Sequence, residues 1–576
     1  MDCSDEASDC SKMCVAFQAI IVSQEQRMTN SANRLFDAAS ERILNQTWEH
    51  YPSMASRLGL HEYDGRLPSI SMKAVAQRTG QLRQGLESLE NIDTAALSVR
   101  NYYDHRLLKA ALRKELLELT ELRWHEHNPM ETVWHIDMSG YVQREYAPLE
   151  QRVDALTRAL EAVPGYLAEL RNVMSGRLAG PVLQSSIEAY EGIAAFYKSD
   201  LLDATAALAD GELRERFEET LADATEAVLG FVEHLRALRP YADASFAIGK
   251  DRFAALLKHG EMVDVPLERL LAVGEDDLRR NLERFAEVAE GIDAGKSAAE
   301  VMASIAADHP TADMLVAETR DMLEDIRQYL IDNDIVGVPS EVRCQTVPTP
   351  SFMRWAFAAL DSPGPYEEKA TETYYYVTPV EEHWSDEEKE QWLTSFNYAT
   401  LRAVSVHEAY PGHYVHYLHT RSAESMMSRV FGAYSFSEGW AHYTEQMMVE
   451  EGYLAEPRNE LGQLMEALLR NCRFICAIRM HTQGMTVEEA THFFMENAYL
   501  EELPARKEAT RGTFDPMYLN YTLGKLMILK LREDYRKVKG AAYSLRAFHD
   551  EFLSYGAPPI PLVREMMLGE DSGDIL

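Results

Sequence analysis

From about residue 28 to residue 335 the apolar residues recur at helical spacing almost without interruption, and this periodicity restricts the fold more than any other feature. Leu108, Leu112, Leu116 and Leu119 stand at i, i+4, i+8 and i+11, one apolar stripe of an amphipathic helix. The stretches "VPGYLAELRNVM" and "VPLERLLAVGEDDLRRNLERF" show similar periodicity, each with a proline near where a helix would start. No repeat of fixed period and no long low-complexity linker divides this part. The spacing predicts a helical wall without chemistry of its own.

The texture changes at about residue 336, where prolines, aromatics and β-branched residues replace the helical stripes. "TETYYYV", Thr371 to Val377, reads as a strand bounded by Pro379. It is either an exposed edge on which a peptide could pair or a half-buried hairpin strand. Ser385 with Glu388 forms a capping box that opens the next helix. After Tyr398 the chain reads as helical to its end, apart from a Gly/Pro/Tyr-rich loop near 510–524. The expected organisation is a polar tail (1–27), a helical N-terminal part (28–335) and a catalytic part (336–576). The expected fold class is mainly α, a helical two-part architecture with a small β-sheet beside the active-site helix.

With 93 Asp and Glu against 57 Lys and Arg, the net charge is −36, which repels phosphate and argues against a nucleic-acid partner. No run of about 18 apolar residues is present, so no membrane-spanning helix is expected. The apolar piece "CVAFQAIIV" follows an acidic leader, unlike the basic start of a secretory signal, and the expected location is cytoplasmic. Six cysteines in 576 residues are too few for a disulfide scaffold. Cys3, Cys10 and Cys14 lie in the polar tail without a nearby fourth metal ligand. Cys472 and Cys476, at i and i+4, read as partly buried thiols.

The chemistry centres on "VSVHEAYPGHYVHYLH", Val404 to His419. His407 and Glu408 begin as a zinc-peptidase helix does, but the histidine of H-E-x-x-H is replaced by Pro411, and the next one, His413, stands at i+6. On an undistorted helix, positions i and i+6 lie about 120° apart and do not face one ion. Pro411 has no N–H to bond the His407 carbonyl, and Gly412 tolerates the backbone that follows. Together they predict a two-residue bulge that returns His413 to the face of His407. A catalytic zinc takes three protein ligands and keeps one position open. The third is sought in "SFSEGWAHYTEQ", where Glu438, His442 and Glu445 share one helical face. Glu438 is the candidate ligand, with His442 and Glu445 around it. Glu408 stays free to act as general base toward the water that the metal activates. His413 with His416 forms an alternative metal pair, and His416 and His419 read otherwise as ordinary half-exposed histidines.

"HEAYPGH" followed by "SEGWAHYTEQ" resembles the large, mostly bacterial domain-of-unknown-function family numbered 885. That family carries H-E-x-x-P-G-H and E-G-W-A and is regarded as zinc peptidases related to the gluzincins. "YPSMASRLGLHEYDGRLPSIS", "LHTQGMTVEEA" and "YLNYTLGKLMILKLR" extend the resemblance over about residues 30–560, as one family-length unit. The resemblance implies His407, His413 and Glu438 as zinc ligands and Glu408 as base. Two departures are visible: His442 stands where a smaller or aliphatic residue is frequent, and Tyr414 replaces a frequent second histidine. His442 thereby adds a competing nitrogen near Glu438.

Charge that develops on a substrate carbonyl oxygen needs a donor besides the metal. "RGTFDPMYLNYTLGKL" offers Arg511, Tyr518, Tyr521 and Lys525. Tyr521 matches the family's tyrosine and is the candidate catalytic donor, with Tyr518 and Arg511 as substrate-binding candidates. The expected function is zinc-dependent hydrolysis of short peptides. The alternatives are a metal hydrolase of a non-peptide amide or ester, and a non-catalytic helical binding protein with a structural metal.

Overall fold

The computed structural model describes residues 31–350, 357–569 and 573–576. The polar tail of 1–27, with Cys3, Cys10 and Cys14, lies outside the described residues. The chain is mainly helical, as the periodicity predicts, with one three-stranded sheet among the described residues. Among the described residues no helix is long and apolar enough to cross a membrane.

Two large cores organise the molecule. The first is built by α1 (Leu149–Val173), α2 (Gly180–Lys198) and α3 (Glu212–Leu238), where Leu156, Leu160 and Leu167 meet Ile187, Tyr190, Val228 and Phe231. Pro164 lies inside α1, not near the start of a helix. The apolar stripe of Leu156, Leu160, Val163 and Leu167 runs through it and stays buried. Burial of that stripe outweighs the cost of about 3 kcal/mol for an interior proline, whose own position is solvent-exposed. The Leu108 stripe forms as expected: Leu108 and Leu112 are buried in the helix Val99–Leu117, and Leu116 and Leu119 pack half-buried beside them.

The second core runs from Phe253 to Met567. It contains α4 (Leu267–Ile292), the sheet, and the helices that carry the candidate site residues: α5 (Tyr398–Glu408), α6 (His413–Ser422), α7 (Tyr434–Glu450), α8 (Pro457–Thr482) and α9 (Asn520–Lys539). α8 is buried nearly all round, with α4 and α5 packed against it. Its Cys472 and Cys476 are free, fully buried thiols, deeper than the partial burial expected, because α8 is packed on nearly every side.

The sheet has the order β1-β3-β2, formed by β1 (Gln345–Pro348), β2 (Ala358–Asp361) and β3 (Tyr374–Val377). β3 is parallel to β1 and antiparallel to β2. The tyrosine-rich strand is therefore the central one and is not free to pair with a peptide; the edges are β1 and β2. Its side chains alternate as a strand requires. Tyr375 is buried toward α5, its hydroxyl 3.4 Å from Ser405 Oγ. Tyr374 and Tyr376 stack on the opposite face at 5.8 Å, where Arg144 covers the Tyr374 ring and pairs with Asp361 at 2.7 Å. The sheet is thus a partition between α5 and residues of the N-terminal part. The Ser385–Glu388 capping box is present and opens the helix Asp386–Ser395. The loop expected at 510–524 shrinks to residues 515–519, between the helix Glu502–Phe514 and α9. Gly512 and Gly524 sit inside these helices at close contacts, so they do not mark loop.

Candidate metal centre

The "HEAYPGH" segment is a break between two helices rather than a bulge within one. α5 ends at Glu408 and α6 starts at His413. Across the break the Gly412 N–H donates to the Val406 carbonyl at 3.0 Å, and the Val415 N–H donates to the Ala409 carbonyl at 3.3 Å. Each bond spans six residues instead of the helical four, which is the two-residue insertion read from the spacing. The Tyr410–Pro411 bond is cis. A Cβ on Gly412 would lie 1.8 Å from the His407 carbonyl oxygen, so no other residue fits without moving the backbone. The Trp440 indole N–H donates to the Pro411 carbonyl at 2.9 Å and ties the break to α7.

This path brings His407 and His413 together, ring centroids 4.8 Å apart and planes perpendicular. Both Nε2 atoms point at one oxygen of Glu438, at 3.4 Å from His407 and 3.3 Å from His413. The three ligand atoms lie within 4.8 Å of one another. Glu438 Oε2 is buried and makes no hydrogen bond of good geometry, an expensive state for a carboxylate oxygen. Two atoms that each sit 2.0–2.1 Å from a tetrahedral ion are separated by about 3.3–3.4 Å. The orphaned oxygen, the two converging nitrogens and their spacing fit a zinc ion. Two imidazoles and one carboxylate also match its ligand preference.

A buried network aims His407. Its Nδ1 donates to Glu445 Oε1 at 2.6 Å, which leaves Nε2 for the cluster. Glu445 is fully buried and is also met by Arg470 at 3.3 Å and by His442 Nδ1 at 3.2 Å. Burial opposes the charge of Glu445, but the Arg470 charge and hydrogen bonds from His407 and His442 outweigh it and hold the carboxyl below its usual range. At Glu438 burial is likewise outweighed, by His413 and His407, and the carboxyl lies well below its ordinary value. Burial and Arg470 push His407 down, yet Glu438 and Glu445 prevail and raise its pKa to about 9. Burial lowers His442 to about 3, so it serves as a neutral support.

The remaining sequence candidates fall into distinct places. Glu408, half-buried at the end of α5, lies on the side of Cys344 and Tyr375 and acts on both electrostatically. Tyr521 is on the first turn of α9, its ring 6.3 Å from the His407 ring and nearly parallel to it. Arg470 and Arg473 lie 5.6 and 5.1 Å from the Tyr521 ring centroid. Burial raises the Tyr521 pKa, and the Glu438 charge adds to this, so the phenol keeps its proton. Arg511 pairs with Asp515 at 2.9 Å and donates to the Tyr434 hydroxyl at 3.0 Å. Tyr518 is buried with its hydroxyl against Gly512, and Lys525 pairs with buried Asp277 at 2.8 Å. His442 is outside the ligand cluster. His416 Nε2 bonds the Gly556 carbonyl at 3.2 Å and His419 Nε2 the Gly337 carbonyl at 2.9 Å, so the alternative His413–His416 pair does not form.

Sequence reasoning passed over Arg470, Asp277 and Tyr434. Arg470 had only a weak signal, since it shares the mostly apolar "MEALLRNCRFICAI" with two other charges, Glu466 and Arg473. Asp277 on α4 had none, because its partners Lys525 and Asn471 are on α9 and α8.

The comparisons with known proteins agree with this architecture. A protein described as a proposed lipoprotein of unknown function from Shewanella oneidensis superposes with a TM-score of 0.78 at 24% identity, over 92% of this chain and 99% of that one. A proposed lipoprotein from Colwellia psychrerythraea superposes with a TM-score of 0.76 at 16% identity, over 93% and 98%. At these identities the likeness establishes the fold. No curated protein matches the sequence. The model of one family, described as a bacterial protein of unknown function, matches residues 52–567, and the chain belongs to that family, DUF885.

Proposed function

We propose that this protein is a zinc-dependent hydrolase that cleaves short peptides. The observation that carries the reading is the convergence of His407 Nε2, His413 Nε2 and the orphaned Glu438 oxygen, with Glu408 adjoining a ligand. His407, His413 and Glu438 would hold the ion. Zinc, when bound, supplies a Lewis acid and lowers the pKa of water toward neutrality. Glu408 takes the proton of the attacking water on its carboxylate and passes it to the leaving amine. Tyr521 donates a hydrogen bond from its phenol to the carbonyl oxygen as that oxygen gains charge. Glu445, Arg470 and His442 hold His407 in one tautomer and one orientation.

The same groups would serve a non-peptide amide or ester. A structural metal in a binding protein is the third reading, and such a site has no use for Glu408. Elemental analysis of protein purified without chelators should find about one zinc per chain. A panel of short peptides, amides and esters then assigns the reaction: cleavage of the peptides supports the proposal, and zinc with cleavage of amides or esters alone replaces it. Zinc without hydrolysis of any of them leaves the structural reading, and no zinc removes the site. The acidic composition supports a cytoplasmic location, while both structural neighbours are described as proposed lipoproteins. Cell fractionation decides between these compartments.

A further inference from the structure

The first core and the sheet enclose a cavity of about 680 Å³ that is separate from the metal cluster. Ligand pockets run from about 300 to 1,000 Å³. α2 contributes Ala189, Gly192, Ile193 and Phe196, spaced i, i+3, i+4 and i+7, a face that would ordinarily pack against another element. Here Phe196 is buried and Ala189 and Ile193 are half-buried against the first core, while Gly192 is exposed at the rim of the cavity. A Cβ added at Gly192 would find no atom within 4 Å, and the same holds at Gly140, which also lines the cavity. Met130, Val133 and Trp134 add further apolar surface, and Trp134 is 48% exposed.

Most of the charges in the wall are already matched. Arg144 pairs with Asp361 at 2.7 Å and Arg66 with Glu49 at 2.6 Å, while His61 sits between Asp64 and Glu367 at 3.1 and 2.8 Å. Two buried hydroxyls in the wall, Tyr146 and Ser362, make no hydrogen bond of good geometry. An apolar hollow with matched charges and a few unengaged hydrogen-bonding groups suits a neutral, bulky guest.

The position of β2 says where the guest comes from. β2 is an edge strand that touches α5, and its last residue, Asp361, lines the cavity. A peptide paired along this edge would lie between the metal helix on one face of the sheet and the cavity on the other. Its alternate side chains would project on the Tyr374–Tyr376 face, the side of Arg144, which also lines the cavity.

We propose that this cavity binds bulky apolar side chains, aromatic or long aliphatic, of the peptide on which the metal centre acts. The inference rests on the peptide-hydrolase reading and adds a preference to it. The test is calorimetric titration of the zinc-loaded, full-length Glu408→Gln protein with acetyl-Ala-Phe-Ala-Phe-amide and acetyl-Ala-Ala-Ala-Ala-amide. The phenylalanine peptide should bind at least about tenfold more tightly, the scale of burying an extra apolar group. Gly192→Trp, which fills the hollow, should reduce that ratio to below about threefold with zinc content and melting temperature unchanged. Gly140→Trp should do the same by another route, and it decides the matter if Gly192→Trp fails to fold. Equal binding of the two peptides, no detectable binding of either, or a ratio that survives in both variants overturns the proposal. The two readings fail separately. A preference lost in the filled variants, with no cleavage by the wild type, removes the hydrolase and keeps the cavity. Cleavage without preference does the reverse.

Discussion

Glu445 determines which nitrogen of His407 faces the cluster. The carboxylate accepts a hydrogen bond from the His407 Nδ1–H at 2.6 Å, and Arg470 and His442 keep it ionised without solvent. Glu445→Gln keeps the size and removes the charge, so the ring loses its fixed tautomer. Zinc affinity, measured by competition with a chelating dye, should fall about 10–100-fold; an unchanged affinity would take Glu445 out of the site. Glu408 is the contrasting case, because it lies outside the cluster of His407, His413 and Glu438. Glu408→Gln should keep full zinc and the wild-type melting temperature, while hydrolysis of an active peptide drops at least about a hundredfold. Full zinc with full activity in one preparation would exclude Glu408 as the base. The clustering of His407, His413 and Glu438 was legible in the sequence because it follows from residue type and spacing along two short segments. Arg470 and Asp277 were much less so. Each acts through a partner on another helix, and only folding decides that Arg470 meets Glu445 and that Asp277 meets Lys525.

Two close approaches between elements place these residues, and each depends on glycine. At the α5–α6 break, Gly412 lets the chain pass against the His407 carbonyl. Gly412→Ala should force the break open and turn His413 away from Glu438. Zinc binding should be lost while far-UV circular dichroism stays near wild type; retained affinity would mean that His413 is not a ligand. At the α7–α9 crossing, a Cβ on Gly524 would lie 1.9 Å from the Ser435 carbonyl oxygen, and one on Gly439 would lie 2.4 Å from the Gly524 Cα. The crossing puts Glu438 and Tyr521 on neighbouring backbones. Gly524→Ala should cost about 1–3 kcal/mol by overpacking. It should also lower zinc content and turnover together, since the clash parts α9, which carries Tyr521, from the stretch of α7 that carries Glu438; unchanged zinc content would mean that the crossing yields without moving Glu438. At this scale periodicity reported that helices exist but not how they join. Pro164 falls inside α1 because burial on both sides of it outweighs a local cost. The strand at Tyr374–Val377 was legible from its residues, whereas its central place was not, because partners at 345–348 and 358–361 leave no trace in its own pattern.

The two cores must be held together for the cavity and the metal centre to belong to one surface, and one of the seams is ionic. The turn at residues 58–61 packs on residues 364–367, with the Tyr366 N–H donating to the Leu58 carbonyl at 2.9 Å. His61 closes this seam, its Nδ1 at 3.1 Å from Asp64 and its Nε2 at 2.8 Å from Glu367, stacked on Tyr146 at 3.7 Å. Burial works against a charged imidazole here, but the two carboxylates outweigh it and raise the His61 pKa above its ordinary value. Because the folded pKa is the higher one, the stabilisation is fully present below the unfolded value of about 6.5. It is lost as pH rises through the folded value. His61→Gln removes the titration and keeps a hydrogen-bonding side chain. The melting temperature of the wild type should therefore exceed that of the variant most at acidic pH. The gap should narrow steadily as pH rises through and above the raised pKa, to what packing alone leaves. A gap that stays constant across the series would mean that the seam is held by its backbone contacts and the Tyr146 stack, with the proton on His61 contributing nothing.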